Sequence, residues 1–232
     1  MDDSLRIIET GDGSQSLYNP VLRETYHSTH GALTESKHVF IQMGLEYLRG
    51  NHLKDISILE VGLGTGLNAL LSIQFARQHK QVSIDYHTLE PYPLKEEIIK
   101  NLRYQDLLHY PEAVSDFNMI HQSIWGEPYT ISDNFTFTRY RQKIQDLSIE
   151  KQFDLVFYDA FAPNKQAEVW EKRFFSKLHR QMKTQAILVT YCARGQFKRD
   201  LAELGFMVET LDGPPGKKEM VRAVKSNASN NY

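Results

Sequence analysis

The sequence predicts an α/β protein built on a doubly wound, mostly parallel sheet. Three observations carry this expectation. From residue 56 onward, strand-like apolar runs alternate with helix-like segments. The first such strand, in "ILEVGLGTGLNAL", runs into a Gly-x-Gly-x-Gly turn and then a helix. The last two strands, "FMVETL" and "EMVRAVK", are separated only by "DGPPGKK". A parallel pair needs a crossover of about a dozen residues or more, so the final strand is expected to lie antiparallel to its neighbour.

Ahead of the sheet, "RIIETGDGSQSLYN" sets Asp12-Gly13 between two short β-like runs. It predicts a hairpin, because Asp-Gly accepts the positive φ of a tight turn. A helix is expected over 37–49, where Phe40, Met43 and Tyr47 recur at helical spacing with Val39 beside them and Gly50 as the stop. Then follow a buried strand at 56–61, a helix at 67–78, the strand "SIDYHTLE", a helix at 94–102 and the short strand "FTFTRY". "FDLVFYDAF" is apolar throughout and suits a sheet centre covered on both faces. A helix at 167–182, the strand "AILVTYC", a helix at 195–204 and the two closing strands complete the order. Residues 1–50 therefore read as an N-terminal extension, hairpin plus helix, packed on the core. Residues 51–225 read as the main domain and 226–232 as a disordered tail.

The 232 residues suit one good-sized domain, and 41% hydrophobic with 24% charged is an ordinary globular balance. A formal charge of -2 argues against a basic field over the whole surface and leaves only a local patch for nucleic acid. The single cysteine, Cys192, excludes an intrachain disulfide and, just after a buried strand, reads as a small core residue. "MDDSLRIIET" is acidic and lacks the apolar stretch of a signal peptide. No run approaches the ~20 apolar residues of a membrane span, so a cytoplasmic location is expected. His27, His30 and His38 cluster without regular ligand spacing, and no metal is expected.

The glycine turn raises the question of which nucleotide it holds. A Walker loop needs Lys-Ser/Thr after its glycines, and here Leu67-Asn68 follow. Gly62, Gly64 and Gly66 are out of register with the dinucleotide Gly-x-Gly-x-x-Gly. Glu60 just before them would repel a pyrophosphate and suits a cationic ammonium. Glu90 ends the second strand, where dinucleotide folds place the acid that holds ribose hydroxyls. An adenosine joined to a cationic amino acid, without phosphate, meets these conditions, and S-adenosylmethionine is that molecule. The alternative is a glycine turn that only packs a helix against a strand.

In "FYDAFAPNKQAEVW", Asp159 ends the expected central strand, where open α/β sheets bind ligands, with Phe161 and Trp170 nearby as an aromatic wall. A carboxylate there accepts hydrogen bonds from an amine and orients its lone pair toward a methyl group. With a reference pKa near ~4 it is a poor base toward an amine near ~10 unless the site shifts them, so the expected role is chiefly positioning and electrostatics. A helix-capping aspartate is the plainer reading.

The strand, glycine turn and helix, with the antiparallel closing strand, resemble the Rossmann-like methyltransferases that use S-adenosylmethionine, over roughly residues 56–225. That resemblance implies a seven-stranded sheet in the order 3-2-1-4-5-7-6. The segments "YNPVLRETYHSTHGALTESKHVFI", "LEVGLGTGLN", "DAFAPNKQAEVW", "TYCARGQFKRDLAELGF" and "GPPGKKEMVRA" resemble, in order, a narrower family. It is the methyltransferase part of the tRNA 5-methylaminomethyl-2-thiouridine biosynthesis bifunctional protein, with its stand-alone relatives. The resemblance implies methylation of the aminomethyl nitrogen on the wobble uridine of tRNA, with the anticodon stem-loop as partner; no membrane partner is expected, since no long apolar run is present. It implies Asp159 and Phe161 at the reacting end. It implies Glu60, Gly62, Gly64, Gly66, Glu90, Glu35 and Tyr26 around S-adenosylmethionine, Glu35 and Tyr26 lying near the pocket mouth.

The bifunctional relatives carry a flavin-dependent oxidase half. This chain ends just after its last strand, so no flavin is expected, and another enzyme is expected to supply the free aminomethyl group. "RYRQKIQDL" puts Lys143 where an adenine-binding acid is usual, with Asp146 a little later, and the adenine contact stays open. Arg194, Lys198, Arg199, Lys217, Lys218, Arg222 and Lys225 read either as a basic rim for tRNA phosphates or as a solvated face. Two other functions fit the same residues: a small-molecule amine N-methyltransferase, and a module that binds S-adenosylmethionine without chemistry.

Overall fold

The computed structural model describes residues 5–226, so nearly all of the expected tail lies outside the described residues. β1 (Arg6–Glu9) pairs antiparallel with β2 (Gln15–Asn19), Arg6 opposite Tyr18. β2 also pairs with β3 (Glu24–Thr25), so the N-terminal unit is a three-stranded sheet rather than a hairpin alone. A two-residue strand is too short to leave a periodicity in sequence.

Helix α1 is continuous through Ala32–Ser36, a π-helical stretch Lys37–Glu46, and Tyr47–Gly50. It begins earlier than the expected 37 because the hairpin turn caps it from outside. The N–H groups of Ala32, Leu33 and Thr34 donate to Thr10 Oγ1 (3.1 Å), Ser14 Oγ (3.0 Å) and Asp12 Oδ2 (2.8 Å). Three of the donors that a helix start leaves unsatisfied are met by residues some twenty positions upstream. Gly44 lets α1 sit close on the sheet, since a Cβ there would lie 3.2 Å from the Phe157 ring.

The main sheet comprises β4 (Asp55–Val61), β5 (Ser83–Leu89), β6 (Tyr129–Ser132), β7 (Phe135–Tyr140), β8 (Phe153–Tyr158), β9 (Met182–Thr190), β10 (Phe206–Asp212) and β11 (Glu219–Lys225). Their order is β10-β11-β9-β8-β4-β5-β7-β6. Counted from β4, the expected order 3-2-1-4-5-7-6 is present, and β11 runs antiparallel to both β10 and β9. The expected seven strands become eight, because β6 adds antiparallel to the outer edge of β7. Tyr129 and Thr130 of β6 are exposed, so the strand lacks an apolar run that would reveal it.

Helix α2 (Leu67–Gln78) follows the glycine turn as expected. The helix expected at 94–102 reduces to one turn, Glu96–Ile99, and the crossover helix is α3 (Ala113–Gln122). Its buried face carries Asp116 beside Phe117 and Ile120, and this charge interrupts the apolar pattern. Asp116 is accommodated because Arg77 of α2 donates two hydrogen bonds to it, at 2.7 and 2.6 Å. The helix expected at 167–182 breaks at Glu171 into a 3₁₀ turn, Ala167–Trp170, and α4 (Lys172–Gln181), and Met182 opens β9 instead. Helix α5 (Gly195–Glu203) precedes β10. Each sheet face has its own core. Leu155 and Phe157 of β8 pack with Phe40 and Tyr86, while Val156 and Tyr158 pack with Trp170 and Phe175. Among the described residues, no helix is long and apolar enough to cross a membrane.

Candidate active site

A cavity of about 970 Å³ opens at the carboxyl ends of β4, β5 and β8, and residues of the N-terminal unit cover it. The glycine turn forms its floor. Gly62 has φ 98°, and a Cβ there would sit 2.6 Å from the Asp159 carbonyl oxygen. Only glycine lets the ends of β4 and β8 come this close.

Gly64 donates its N–H to Glu90 Oε2 at 2.9 Å, and Tyr92 N–H donates to Glu90 Oε1 at 2.8 Å. Glu90 lines the cavity, and each of its oxygens keeps an accepting lone pair. Burial pushes this carboxyl upward, and the two N–H bonds oppose it.

Asp159 follows β8 directly. Its N–H donates to Val61 O at 3.0 Å, and its Oδ2 accepts from Asn68 Nδ2 at 2.8 Å. Burial, then the nearby Glu35 carboxylate, push Asp159 up to about 7, against the Asn68 bond and the Lys217 ammonium. Phe161 and Tyr26 meet edge to face, ring centroids 5.0 Å apart, on the cavity wall. Burial, then Glu90, push the Tyr26 hydroxyl upward. Trp170 is not a wall of the cavity. It is 8% exposed, packs on Tyr158 and Phe197, and donates Nε1–H to Phe161 O at 2.7 Å, fixing the Phe161 backbone from behind. Lys165 Nζ donates to Leu22 O and Arg23 O, at 3.1 and 2.9 Å, and so pins the covering loop over the site.

Gly62, Gly64, Glu90, Glu35, Tyr26, Asp159 and Phe161 line one cavity, with Glu35 buried near Asp159 rather than at the mouth where the resemblance put it. Glu60 and Gly66 do not line it. Glu60 points into the sheet, 0% exposed, and accepts from Thr88 Oγ1 at 2.8 Å. Burial pushes its carboxyl up to about 8 against that bond, so it is largely uncharged at neutral pH and is no exposed partner for an ammonium. Gly66 is the N-cap of α2, and its missing side chain makes room for His121, 3.0 Å from where a Cβ would stand.

At the far end, Gln142, Lys143, Ile144 and Gln145 line the cavity, and Asp146 does not. Gln145 Oε1 is buried and has no hydrogen-bond partner among the described residues. Sequence reading missed Asn68 and Tyr191 and placed Lys217 elsewhere, on the rim. Asn68 carried a usable signal, since it stands in the first turn of the helix that the glycines open.

The histidine cluster disperses. His27 bonds Ser16 and His38 bonds Asp212 O, and no group of three or more ligating side chains among the described residues could hold a metal. The basic residues also disperse into internal partners. Lys198 pairs with Glu219, Arg222 with Glu209, and Lys225 donates to His179 O and Met182 O. Two other cations, Arg23 and Lys143, sit on the cavity mouth without an ion-pair partner among the described residues.

Residues 107–226 match a family model described as S-adenosyl-L-methionine-dependent methyltransferase. The chain is 26% identical over 218 residues to the tRNA 5-methylaminomethyl-2-thiouridine biosynthesis bifunctional protein MnmC of Burkholderia thailandensis, covering 89% of this chain and 33% of that protein. To the protein of the same name from Cupriavidus metallidurans it is 27% identical over 237 residues, covering 93% and 33%. The chain spans about a third of the length of these relatives. The solved structure of MNMC2 from Aquifex aeolicus shares the fold, with a TM-score of 0.80 at 23% identity over 97% of this chain and 72% of that one.

Proposed function

The chain belongs to the S-adenosyl-L-methionine-dependent methyltransferase family, and from that premise we propose that it methylates the aminomethyl nitrogen of 5-aminomethyl(-2-thio)uridine at the wobble position of tRNA. The observation that carries the reading is Asp159, a carboxylate held by Asn68 beside the aromatic wall, with its pKa pushed to about 7. An aminomethyl group enters such a site as an ammonium. Asp159 accepts its hydrogen bonds, takes its proton near neutral pH and leaves the lone pair aimed along a fixed line. This goes beyond the positioning role expected from an unshifted aspartate.

The residues present fit the cofactor. The free lone pairs of Glu90 suit a ribose diol, and Gly62, Gly64 and Gln142 line the cavity along with it. When bound, S-adenosyl-L-methionine supplies an electrophilic methyl group. Phe161 and Tyr26 flank the incoming base, and the loop held by Lys165 limits water at the reacting end. Residues 1–50, read as an extension, serve in this reading as the cover of the site.

A nucleic-acid substrate is supported at the mouth. Val21 and Tyr92 are 68% and 65% exposed there, beside Arg23 and Lys143. Exposed apolar and aromatic surface next to free cations suits unstacked bases and phosphates of an RNA loop. The formal charge of -2 favours a second reading, methylation of a small free amine. Labelled methyl transfer separates the two. With tRNA from a strain lacking this protein, a new methylaminomethyl-uridine at the wobble position, identified by mass spectrometry, supports the first reading. Transfer to free amines or nucleosides and not to tRNA overturns it.

A further inference from the structure

The loop between β10 and β11 carries Lys217 into the cavity. Its ammonium is ion-paired with Glu35 Oε2 and lies 3.8 Å over the Tyr191 ring. The pair is mostly withdrawn from solvent, with the Glu35 side chain 7% exposed. Glu35 Oε1 accepts the Ser28 N–H at 2.9 Å. Tyr191 donates its hydroxyl to Ala160 O at 2.7 Å, the carbonyl next along the chain from Asp159. Helix α1, the end of β9 and the closing loop therefore converge on the reacting carboxylate. The loop itself is held in place. His38 Nε2 donates to Asp212 O at 2.8 Å, Gly213 N–H donates to Lys218 O at 3.1 Å, and Gly216 packs so tightly on His30 that a Cβ would fall 2.0 Å from the ring.

The groups that face Asp159 come from every neighbouring element. They are Asn68 from α2, Glu60 from β4, Tyr86 from β5, Glu35 from α1, Tyr191 following β9, and Lys217 from the loop. Lys217 is the one cation in this set. Glu35 would otherwise stand as an uncompensated negative charge beside Asp159.

We propose that Lys217 is a positioning residue for methyl transfer: by holding Glu35 in an ion pair against Tyr191, it keeps Asp159 ionised and aligned to receive the proton of the substrate amine. This rests on the reading of Asp159 given above. The step it serves is balanced. One proton passes from the ammonium nitrogen to an Asp159 oxygen, and the freed lone pair forms the new N–C bond. The methyl group would be supplied by S-adenosyl-L-methionine when bound, its sulfur keeping the electron pair of the bond given up.

Lys217→Met keeps the length of the side chain and removes the charge. The expected result is an acidic limb of kcat/KM displaced upward by about one pH unit, with activity near pH 7 reduced about fivefold and recovered on the alkaline side. Lys217→Arg retains the wild-type limb. The double variant Lys217→Met/Glu35→Gln removes both charges and returns the limb toward its original position. Lys218→Ala, on the exposed neighbour, leaves it unmoved. A loss that is the same at every pH, or a double variant no better than Lys217→Met, overturns the proposal. An NMR titration of the Asp159 carboxyl carbon, wild type against Lys217→Met, reads the same effect without turnover. If tRNA accepts no methyl from the wild-type protein, the substrate reading falls. The titration then still decides the role of Lys217: an upward displacement supports it and an unchanged curve overturns it.

Discussion

Asn68 donates its side-chain N–H to Asp159 Oδ2 across 2.8 Å, joining the first turn of α2 to the residue that ends β8. The helix opened by the glycine turn thus holds the carboxylate at the reacting end. Hydrogen bonds to charged groups contribute about 1.5–3 kcal/mol. Asn68→Ala is expected to lower kcat roughly ten- to a hundredfold with a much smaller change in cofactor Kd, measured by single-turnover kinetics and calorimetry. Because the lost bond favours the ionised form, the acidic limb of the pH profile also moves upward from about 7.

Gly62 cannot carry a side chain. Its φ of 98° is strained for any other residue, and a Cβ would press on the Asp159 carbonyl at 2.6 Å. Gly62→Ala is expected to cost about 1–3 kcal/mol of stability and to weaken cofactor binding at least tenfold. A thermal melt with and without cofactor reads both. A variant with wild-type melting and wild-type cofactor affinity contradicts the proposed close approach of β4 and β8.

Glu60 makes stability depend on pH in the direction opposite to a paired surface carboxylate. Burial raises its folded pKa to about 8 from an ordinary 4.5, so the folded state holds a proton that the unfolded chain releases. Its stabilising contribution is full below about 4.5 and is lost as pH rises toward and through about 8. Glu60→Gln keeps an acceptor for Thr88 and removes this dependence. Urea unfolding between about pH 5 and 9 is expected to show a flatter profile for the variant, with the largest gain over wild type, on the order of a few kcal/mol, at the alkaline end.

Tyr92 and Lys143 stand together at the mouth, the ammonium 5.8 Å from the ring centroid. Stacking of a base on an exposed aromatic is worth about 1–3 kcal/mol. Tyr92→Ala is expected to raise KM for tRNA about tenfold while leaving cofactor affinity unchanged. Lys143→Ala is expected to weaken tRNA binding and to reduce the slope of log K against log salt by about 1. An unchanged salt slope in filter binding removes Lys143 from the phosphate contacts.

Much of the fold follows from local pattern. Helix α2 and the strands β7 and β11 fall where the sequence places them, because each is a run with a clear period or a clear apolar character between strong punctuation. The position of Glu90 and Asp159 on the cavity was legible for a related reason: the strand ends of a parallel sheet gather at one edge, so a polar residue ending a buried strand arrives there. Helix α3 was hidden by Asp116, whose buried charge makes sense only beside Arg77 of another helix.

The sequence by itself determined the alternation of strand and helix, the antiparallel closing strand and the glycine turn with Glu60 before it, since these depend on neighbours in the chain, while the strand order came from the family resemblance. Only the tertiary structure decided that Glu60 is buried behind the site, that Trp170 supports Phe161 rather than facing the cavity, that the hairpin turn caps α1, and that Lys217 pairs with Glu35. Lys217 and Glu35 lie 182 positions apart, and no local period links them. Their charges act on Asp159 through space, in a site where burial weakens the screening that water provides, and that distance exists only once the chain has folded.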